Sequence, residues 1–398
     1  MSLLRRSVTV VLLAVLIAGC AGPPTVAIVR GEDPAEMVAK AIDLSGGLEG
    51  LVRNGDTVVI KINLTTYMDP NSPHIGMVTD VRVVAGVVDY LKKHRTCRIV
   101  IAENSAIDTS EAFRLYGYTE MAKQKGAELV DLEKDEQVVV RRQGLTNPEY
   151  RIAKTLLQAN LVIDMPPLKT HQLTGITVGM KNWFGLLPKG DLRDQYHDQI
   201  DEVLSDLTSI VHPRLTVVDG LVGMEGQGPV QGTPVKMGIV MAGRDVVAVD
   251  TVAAAVMGFD PNQISHLTVA HERGLGENDL ARIVVKGEPI AAVRKPFQPP
   301  RAFRARIALT PAQVRTLQEL KLGRQFESAG LGLDPSQFPV LTSHPTVFRF
   351  SQRRPTLYAD FSCTVLERPA AMKEIQRWLA GLSPTATAPA AAAAPAAR

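Results

Sequence analysis

TVVIKI (57–62), TDVRVVAGVVDYLKKH (79–94) and RIVIA (98–102) succeed one another along the chain. The first and third are apolar, β-branched runs without polar alternation, so each is expected to be a strand covered on both faces. In the middle piece Val81, Val84, Ala85, Val88 and Leu91 recur at helical spacing, and Lys92, Lys93 and His94 close the last turn, where cations suit the helix dipole. Strand, crossover helix and parallel strand together make a βαβ unit.

The same alternation continues on the C-terminal side. Residues 161–165, 215–218 and 237–241 read as strands, and 199–210, 245–257 and a stretch after Pro261 as helices. The expected fold class is α/β, with a largely parallel sheet over 25–290, helices on both faces, and a small C-terminal extension. From Arg294 to Arg306 the chain carries Arg294, Lys295, Arg301, Arg304 and Arg306, no acid, and three prolines, which reads as a linker leaving the core. Residues 291–382 are therefore expected to form a basic linker and small unit, with a helix over 310–324, a strand over 346–350 and a helix over 372–379. The Ala/Pro-rich tail, 383–398, lacks the apolar variety to fold and is expected to be disordered.

At the other end Arg5 and Arg6 precede an apolar run over 8–17 that closes in Ile17-Ala18-Gly19-Cys20. A bilayer-spanning helix needs about 20 apolar residues, so this run is too short to cross. Residues 1–19 are expected to be a lipoprotein signal peptide, cut before Cys20, with the lipid bilayer as partner through acyl chains on that cysteine. Arg-Arg-Ser-Val-Thr fits twin-arginine export poorly, and general secretion is the expected route. The expected location is extracytoplasmic and lipid-anchored to the cell membrane, the outer one where the organism has two, because Ala21 carries no retention charge.

A formal charge of +3, which falls by two when Arg5 and Arg6 are removed, is too balanced for a polynucleotide partner. Beyond Cys20 only Cys97 and Cys363 remain, which leaves no ligand set for an iron–sulfur cluster.

The chemistry is expected after two strands. LVIDMPPLKTHQLTGITVGMKNWFGLLPKG (161–190) reads as a buried strand that ends at two prolines and releases a loop bearing Lys169, Thr170 and His171. Gly175 and Gly179 allow close backbone approach, and Lys181 and Asn182 add donors, a combination suited to a small anionic ligand such as phosphate or carboxylate. The spacing is not that of a P-loop. After the strand at 215–218, Asp219-Gly220 and then Glu225, Gly226, Gly228 and Pro229 read as a glycine-rich turn. Asp219 suits either a divalent cation or acid–base work. Asp250 lies in an otherwise apolar helix and is expected to need a partner, Lys169 or Lys181, while Asp245 is placed as that helix's N-cap. His197, in an acid-rich run with Asp194, Asp198 and Asp201, is a candidate proton carrier, although such runs are ordinarily solvated.

LKTHQLTGITVGMKNWFGLLP, LTVVDGLVGMEGQGPV and GRDVVAVDTVAAAVMGFDP, with VVIKINL and IAENSAIDTSEAF before them, resemble the family known as domain of unknown function 362. The resemblance covers about 25–289 and implies an α/β fold without a settled activity. Family positions fall on Lys61, Asn63, Lys169, Thr170, His171, Lys181, Asn182, His197, Asp219, Asp245 and Asp250. The chain departs from the family at Ile62 and at Asp80-Val81, where prolines, and in some members a histidine, are usual. The leading expectation is an enzyme on a small anionic substrate, with Lys169 and Lys181 as clamps, His171 as acid or base, and Asp219 beside it. The competing expectation is a non-catalytic lipoprotein that holds an anionic envelope component or a partner protein in the same crevice and sets Arg294 to Arg306 against acidic headgroups.

Overall fold

The structure is a computed structural model that describes residues 22–65, 76–190, 193, 196–300, 302–313, 315, 346–351 and 356–362, with single positions beyond. The leader, Cys20 and the Ala/Pro-rich tail lie outside the described residues, as do Asp194, most of the 310–324 helix and parts of the 372–379 helix.

The chain runs through β1 (Thr25–Arg30), α1 (Pro34–Leu44), β2 (Thr57–Lys61), α2 (Val81–His94), β3 (Arg98–Glu103), α3 (Thr109–Leu115), α4 (Tyr118–Lys125), β4 (Glu128–Asp131), β5 (Gln137–Val140), β6 (Tyr150–Ala153), α5 (Lys154–Leu157) and β7 (Leu161–Asp164). It continues with β8 (Pro167–His171), β9 (Gly175–Thr177), α6 (Gly179–Asn182), α7 (Ile200–Val211), β10 (Leu215–Gln227), β11 (Gln231–Gly243), α8 (Val246–Val256), α9 (Ser265–Glu272), β12 (Val284–Gly287) and α10 (Ile290–Val293). The main sheet has the order β12-β1-β11-β10-β7-β2-β3-β4, and every neighbouring pair is parallel except those that β11 makes. The α/β class and the largely parallel sheet are as expected.

Strand side chains alternate between two cores. Val58 and Ile60 of β2 join a cluster with Val84 and Val88 of α2, whereas Val59 joins one with Leu204 of α7 and Val252 of α8. Helices therefore cover both faces. Each such Val or Ile contributes about 1.5–3 kcal/mol by burial. This explains the absence of polar alternation in the runs that define the fold.

Three segments differ from expectation. Pro167–His171 is not a loop but strand β8, fully buried, which pairs with β9 and with β10. Its leading proline takes the first strand position, where a missing N–H is tolerated. Asp219-Gly220 does not end its strand either. β10 and β11, each 13 residues long, form an antiparallel hairpin, and the register shifts between Gly220 and Val222, so an Asp-Gly pair that locally favours a turn is absorbed as an irregularity within the ladder. Finally, the basic stretch after 293 begins against the core: Phe297 is buried, the Gln298 N–H donates to Glu225 Oε2 at 2.7 Å, and its carbonyl accepts from Gly226 N–H at 2.7 Å. β13 (Ala302–Ala308) then forms an antiparallel sheet with β14 (Thr346–Ser351) and β15 (Thr356–Ser362), in the order β13-β15-β14.

The acids that the run carries on α7 do not form a solvated face either. Asp201, Glu202 and Asp206 of α7 are all buried. Asp206 pairs with Arg273 at 2.7 Å and accepts from the Tyr150 hydroxyl and the Thr146 N–H, each at 2.6 Å. Removal of one member of a buried pair strands the other charge. Asp206→Ala should therefore lower unfolding stability by about 3–5 kcal/mol in denaturant titration.

Candidate functional site

Three adjacent parallel strands end in charge: Asp164 closes β7, Lys61 closes β2 and Glu103 closes β3. Lys61 pairs across the sheet register with Asp164 and with Ala102, the residue before Glu103. The Lys61 ammonium donates to Glu103 Oε1 at 3.0 Å, the Ile62 carbonyl at 2.5 Å and Asn182 Oδ1 at 3.2 Å. Glu103 in turn accepts from the N–H groups of Leu64 and Asn104, each at 2.7 Å. Asn182 bridges onward, donating to Asp164 Oδ1 at 2.7 Å and accepting from Asn63 Nδ2 at 2.9 Å.

Above this network lies a cavity of about 100 Å³ whose walls include Lys61, Asn63, Glu103, Lys169, His171, Thr177, Lys181, Asn182, Phe184 and Arg193. In the measure used for buried waters, that is room for a small oxyanion or a few waters. It occupies the carboxyl ends of the parallel strands, where ligands bind in open α/β sheets. A larger groove, about 490 Å³, lies at the amino ends and is lined by Arg53, Arg95 and Arg214 among others. The smaller cavity is the candidate site because the buried titratable groups converge on it.

Six of the expected site residues, Lys61, Asn63, Lys169, His171, Lys181 and Asn182, share these walls, but their roles divide. Lys169 is saturated: it donates to Asn63 Oδ1, Thr65 Oγ1 and the carbonyls of Met77 and Pro229, at 2.6–3.3 Å. It is a structural clamp between segments, not an anion clamp. Lys181 is different. Its ammonium lies 4.6 Å from the centroid of the Phe184 ring and has no hydrogen-bond acceptor among the described residues. Burial, then Arg193 and Lys61 nearby, bring its pKa down to about 7. Arg193 approaches the same ring at 5.7 Å, and the His197 ring packs on it at 4.4 Å between centroids. His197 thus supports the wall that Phe184 forms.

His171 accepts the Leu173 N–H on Nδ1 at 3.1 Å, which leaves Nε2 to carry the proton of the neutral ring. Burial first, then Lys181 and Lys169, hold its pKa well below the usual histidine range. This disposes the ring to donate from Nε2 and disfavours the role of base. Thr177 adds a buried hydroxyl without a partner among the described residues.

Other expected members stand apart. Thr170, on the alternate side of β8, donates to the Gly226 carbonyl at 2.9 Å. Asp219 is not in the cavity wall; it accepts from the N–H groups of Asp80, at 2.6 Å, and Leu221, at 3.1 Å, and so fixes the start of α2. Its oxygens are engaged by backbone donors, a poor fit to a divalent cation. Among the described residues no three His, Cys, Asp or Glu side chains are grouped to hold a metal. Asp245 is the expected N-cap of α8.

Asp250 pairs with neither lysine. Its two oxygens accept the N–H groups of Gly179 and Met180, each at 2.8 Å, so a carboxylate from α8 caps the one-turn helix α6, whose own N-cap side chain makes no cap bond. Only glycine fits at 179: a Cβ there would lie 2.8 Å from Asp164 Oδ2 and 2.9 Å from Asp250 Oδ1. Burial raises Asp250 to about 7 and pushes Asp164 well above the carboxylate range.

Sequence reasoning missed Glu103, Asp164, Thr177 and His266, the last fully buried in α9 with its pKa brought down to about 3 by burial and Lys181. For Glu103 and Asp164 a signal existed, since each is the polar residue that closes an apolar strand.

Residues 58–255 match the model of the family described as Domain of unknown function (DUF362). The thylakoid-associated protein sll1697 of Synechocystis sp. is 28% identical over 247 residues, which cover 59% of this chain and 73% of that protein. Among solved structures, the lactate racemase apoprotein from Thermoanaerobacterium thermosaccharolyticum aligns with a TM-score of 0.36 and 11% identity over 62% of this chain, which spans 56% of that one.

The Asp250 cap yields a measurable pH effect. Between about pH 4, where the unfolded carboxyl titrates, and about pH 7, the folded chain retains a proton that the unfolded chain has lost, so this group's stabilisation is full at low pH and is lost as pH rises. Asp250→Asn should flatten the stability slope across that window by at most about 1.4 kcal/mol per pH unit, read from denaturant midpoints. Asp250→Ala, which leaves two buried N–H groups bare, should cost about 2–5 kcal/mol.

Proposed function

The chain belongs, through residues 58–255, to the family of domain of unknown function 362, and we propose that it is a membrane-anchored lipoprotein that binds a small phosphate- or carboxylate-bearing molecule in the cavity above β2 and β3. One observation carries the reading: the half-buried ammonium of Lys181, without an acceptor among the described residues, shares its cavity with the guanidinium of Arg193, the His171 ring and the buried, unpaired Thr177 hydroxyl. These groups depress one another's proton affinity, and because Glu103 of the wall is already paired with Lys61, Lys181 lacks a negative charge of its own. A bound anion would supply it, with acceptors for donors that are otherwise costly to bury.

Anchoring rests on the Cys20 motif, and the thylakoid association of the Synechocystis relative accords with it. No helix among the described residues is long and apolar enough to cross a membrane. A second reading, an enzyme in which the Lys181 amine moves a proton on the bound anion, is favoured by the pKa of that amine near 7. The Asp219–His171 pair does not support catalysis, because only His171 reaches the cavity.

Calorimetry across phosphate, sugar phosphates and short carboxylates should find a ligand whose binding near pH 8 takes up protons, seen as a dependence of the heat on buffer ionisation. Lys181→Met should abolish the uptake and weaken binding about tenfold or more. Binding without proton uptake in the wild type would overturn the role given to Lys181. Replacement of Cys20 by Ser should move the protein from the membrane to the soluble or precursor fraction and remove palmitate labelling.

A further inference from the structure

The groove at the amino ends of the strands has no part in the site above, yet it collects arginines. Arg53 is exposed and its guanidinium has no partner among the described residues. Arg95 donates to the Val52 carbonyl at 3.0 Å, Arg214 to Gly50 at 2.7 Å, and Arg244 to the carbonyls of Gly46, Gly47 and Glu49 at 2.6–3.1 Å. Carbonyl partners orient a guanidinium without neutralising it. The acids of the groove are Glu49, which reaches Arg95 at 3.4 Å, and Asp56, which accepts the Arg53 N–H. Three arginines of the groove thus face two acids, with Arg244 beside it on the Glu49 carbonyl, and Lys93, exposed at the end of α2, adds a further cation.

The chain start reaches this same edge. Gly243 of β11 pairs with Val26 on one side and Thr216 on the other, so β1 and β10 begin level with each other, two strand spacings or about 10 Å apart. Arg214 immediately precedes β10, and Arg244 immediately follows Gly243. Only Ala21–Pro24 separate Cys20 from β1, a reach of at most roughly 17 Å between the Cys20 and Thr25 Cα atoms. A lipid on Cys20 therefore holds the bilayer surface against the arginine rim.

We propose that this amino-end edge is the membrane-facing side of the protein, and that the groove formed by Arg53, Arg95 and Arg214 takes the headgroups of anionic phospholipids, while the anion cavity opens away from the bilayer. Two independent features support it, charge complementarity and the short tether; the second rests on the lipoprotein reading. Basic residues near an anionic bilayer each contribute enough to change partitioning about fivefold.

The experiment uses the mature chain from residue 20 with Cys20→Ser, so that no acyl chain contributes, and measures co-sedimentation with phosphatidylcholine vesicles with or without phosphatidylglycerol. Binding is expected only with phosphatidylglycerol, and should fall as salt rises. Arg53→Glu combined with Lys93→Glu, both exposed, should weaken it more than about tenfold. Lys189→Glu, a charge reversal by the opposite cavity, should leave it unchanged. Equal binding to both vesicles, no effect of the double reversal, or an equal effect of Lys189→Glu would overturn the proposal. Palmitate labelling of the full chain tests the anchor separately: loss of labelling with intact vesicle binding refutes the tether alone, whereas intact labelling with charge-independent vesicle binding refutes the docking face.

Discussion

The buried ion pair between Lys61 and Glu103 is the constraint on which the site depends. Two charges at the ends of adjacent parallel strands are costly to desolvate, and the cost is offset only because the remaining hydrogen-bonding capacity is met. The Ile62 carbonyl, Asn182 and the N–H groups of Leu64 and Asn104 meet it. Each of those partners belongs to a segment that leaves the sheet. The pair therefore organises the loops after β2 and β3 and the short helix α6 around one point, and what these segments do not fill becomes the cavity.

The same economy operates one layer away. α6 is a single turn, far too short to persist alone, and its leading N–H groups are held by a carboxylate from α8. Gly179 permits this by lacking the Cβ that would meet both Asp164 and Asp250. Lys181 and Asn182 are thereby presented to the cavity from a helix that the rest of the fold imposes. Lys169, with four acceptors, ties the strand β8 to the segments around Asn63, Met77 and Pro229, and its charge acts on the cavity through repulsion of Lys181 and His171.

Elements dominated by burial were legible in the sequence. The βαβ unit at 57–102, the strands after 161 and 215, and the helices α7 and α8 all follow from unbroken apolar runs or helical spacing. Segments whose state is decided by a distant partner were not. Pro167–His171 is a strand because β9 and β10 offer it ladders, and Asp219-Gly220 stays in β10 because β11 pairs with it on both sides of the shift. The site divides in the same way. The polar residue types that line the cavity stood out around Lys181, whereas the partners of Asp250 and Asp206, and the Asp80 N–H that Asp219 takes, lie tens of residues away, which no local pattern encodes. The acid-rich run on α7 shows the difficulty: its composition suggests solvent, and its burial reflects what Arg273 and Tyr150 bring to it.

The cavity wall draws on residues from Lys61 to Pro229, and no single βαβ unit owns more than a fraction of it. Such a site has high contact order, because loops of more than a hundred residues close before its members meet. It cannot exist in a partly folded chain, and a ligand bound there stabilises the entire domain by mass action rather than one segment of it. Under the proposed export and the proposed ligand, an occupied cavity would report that folding on the far side of the membrane is complete.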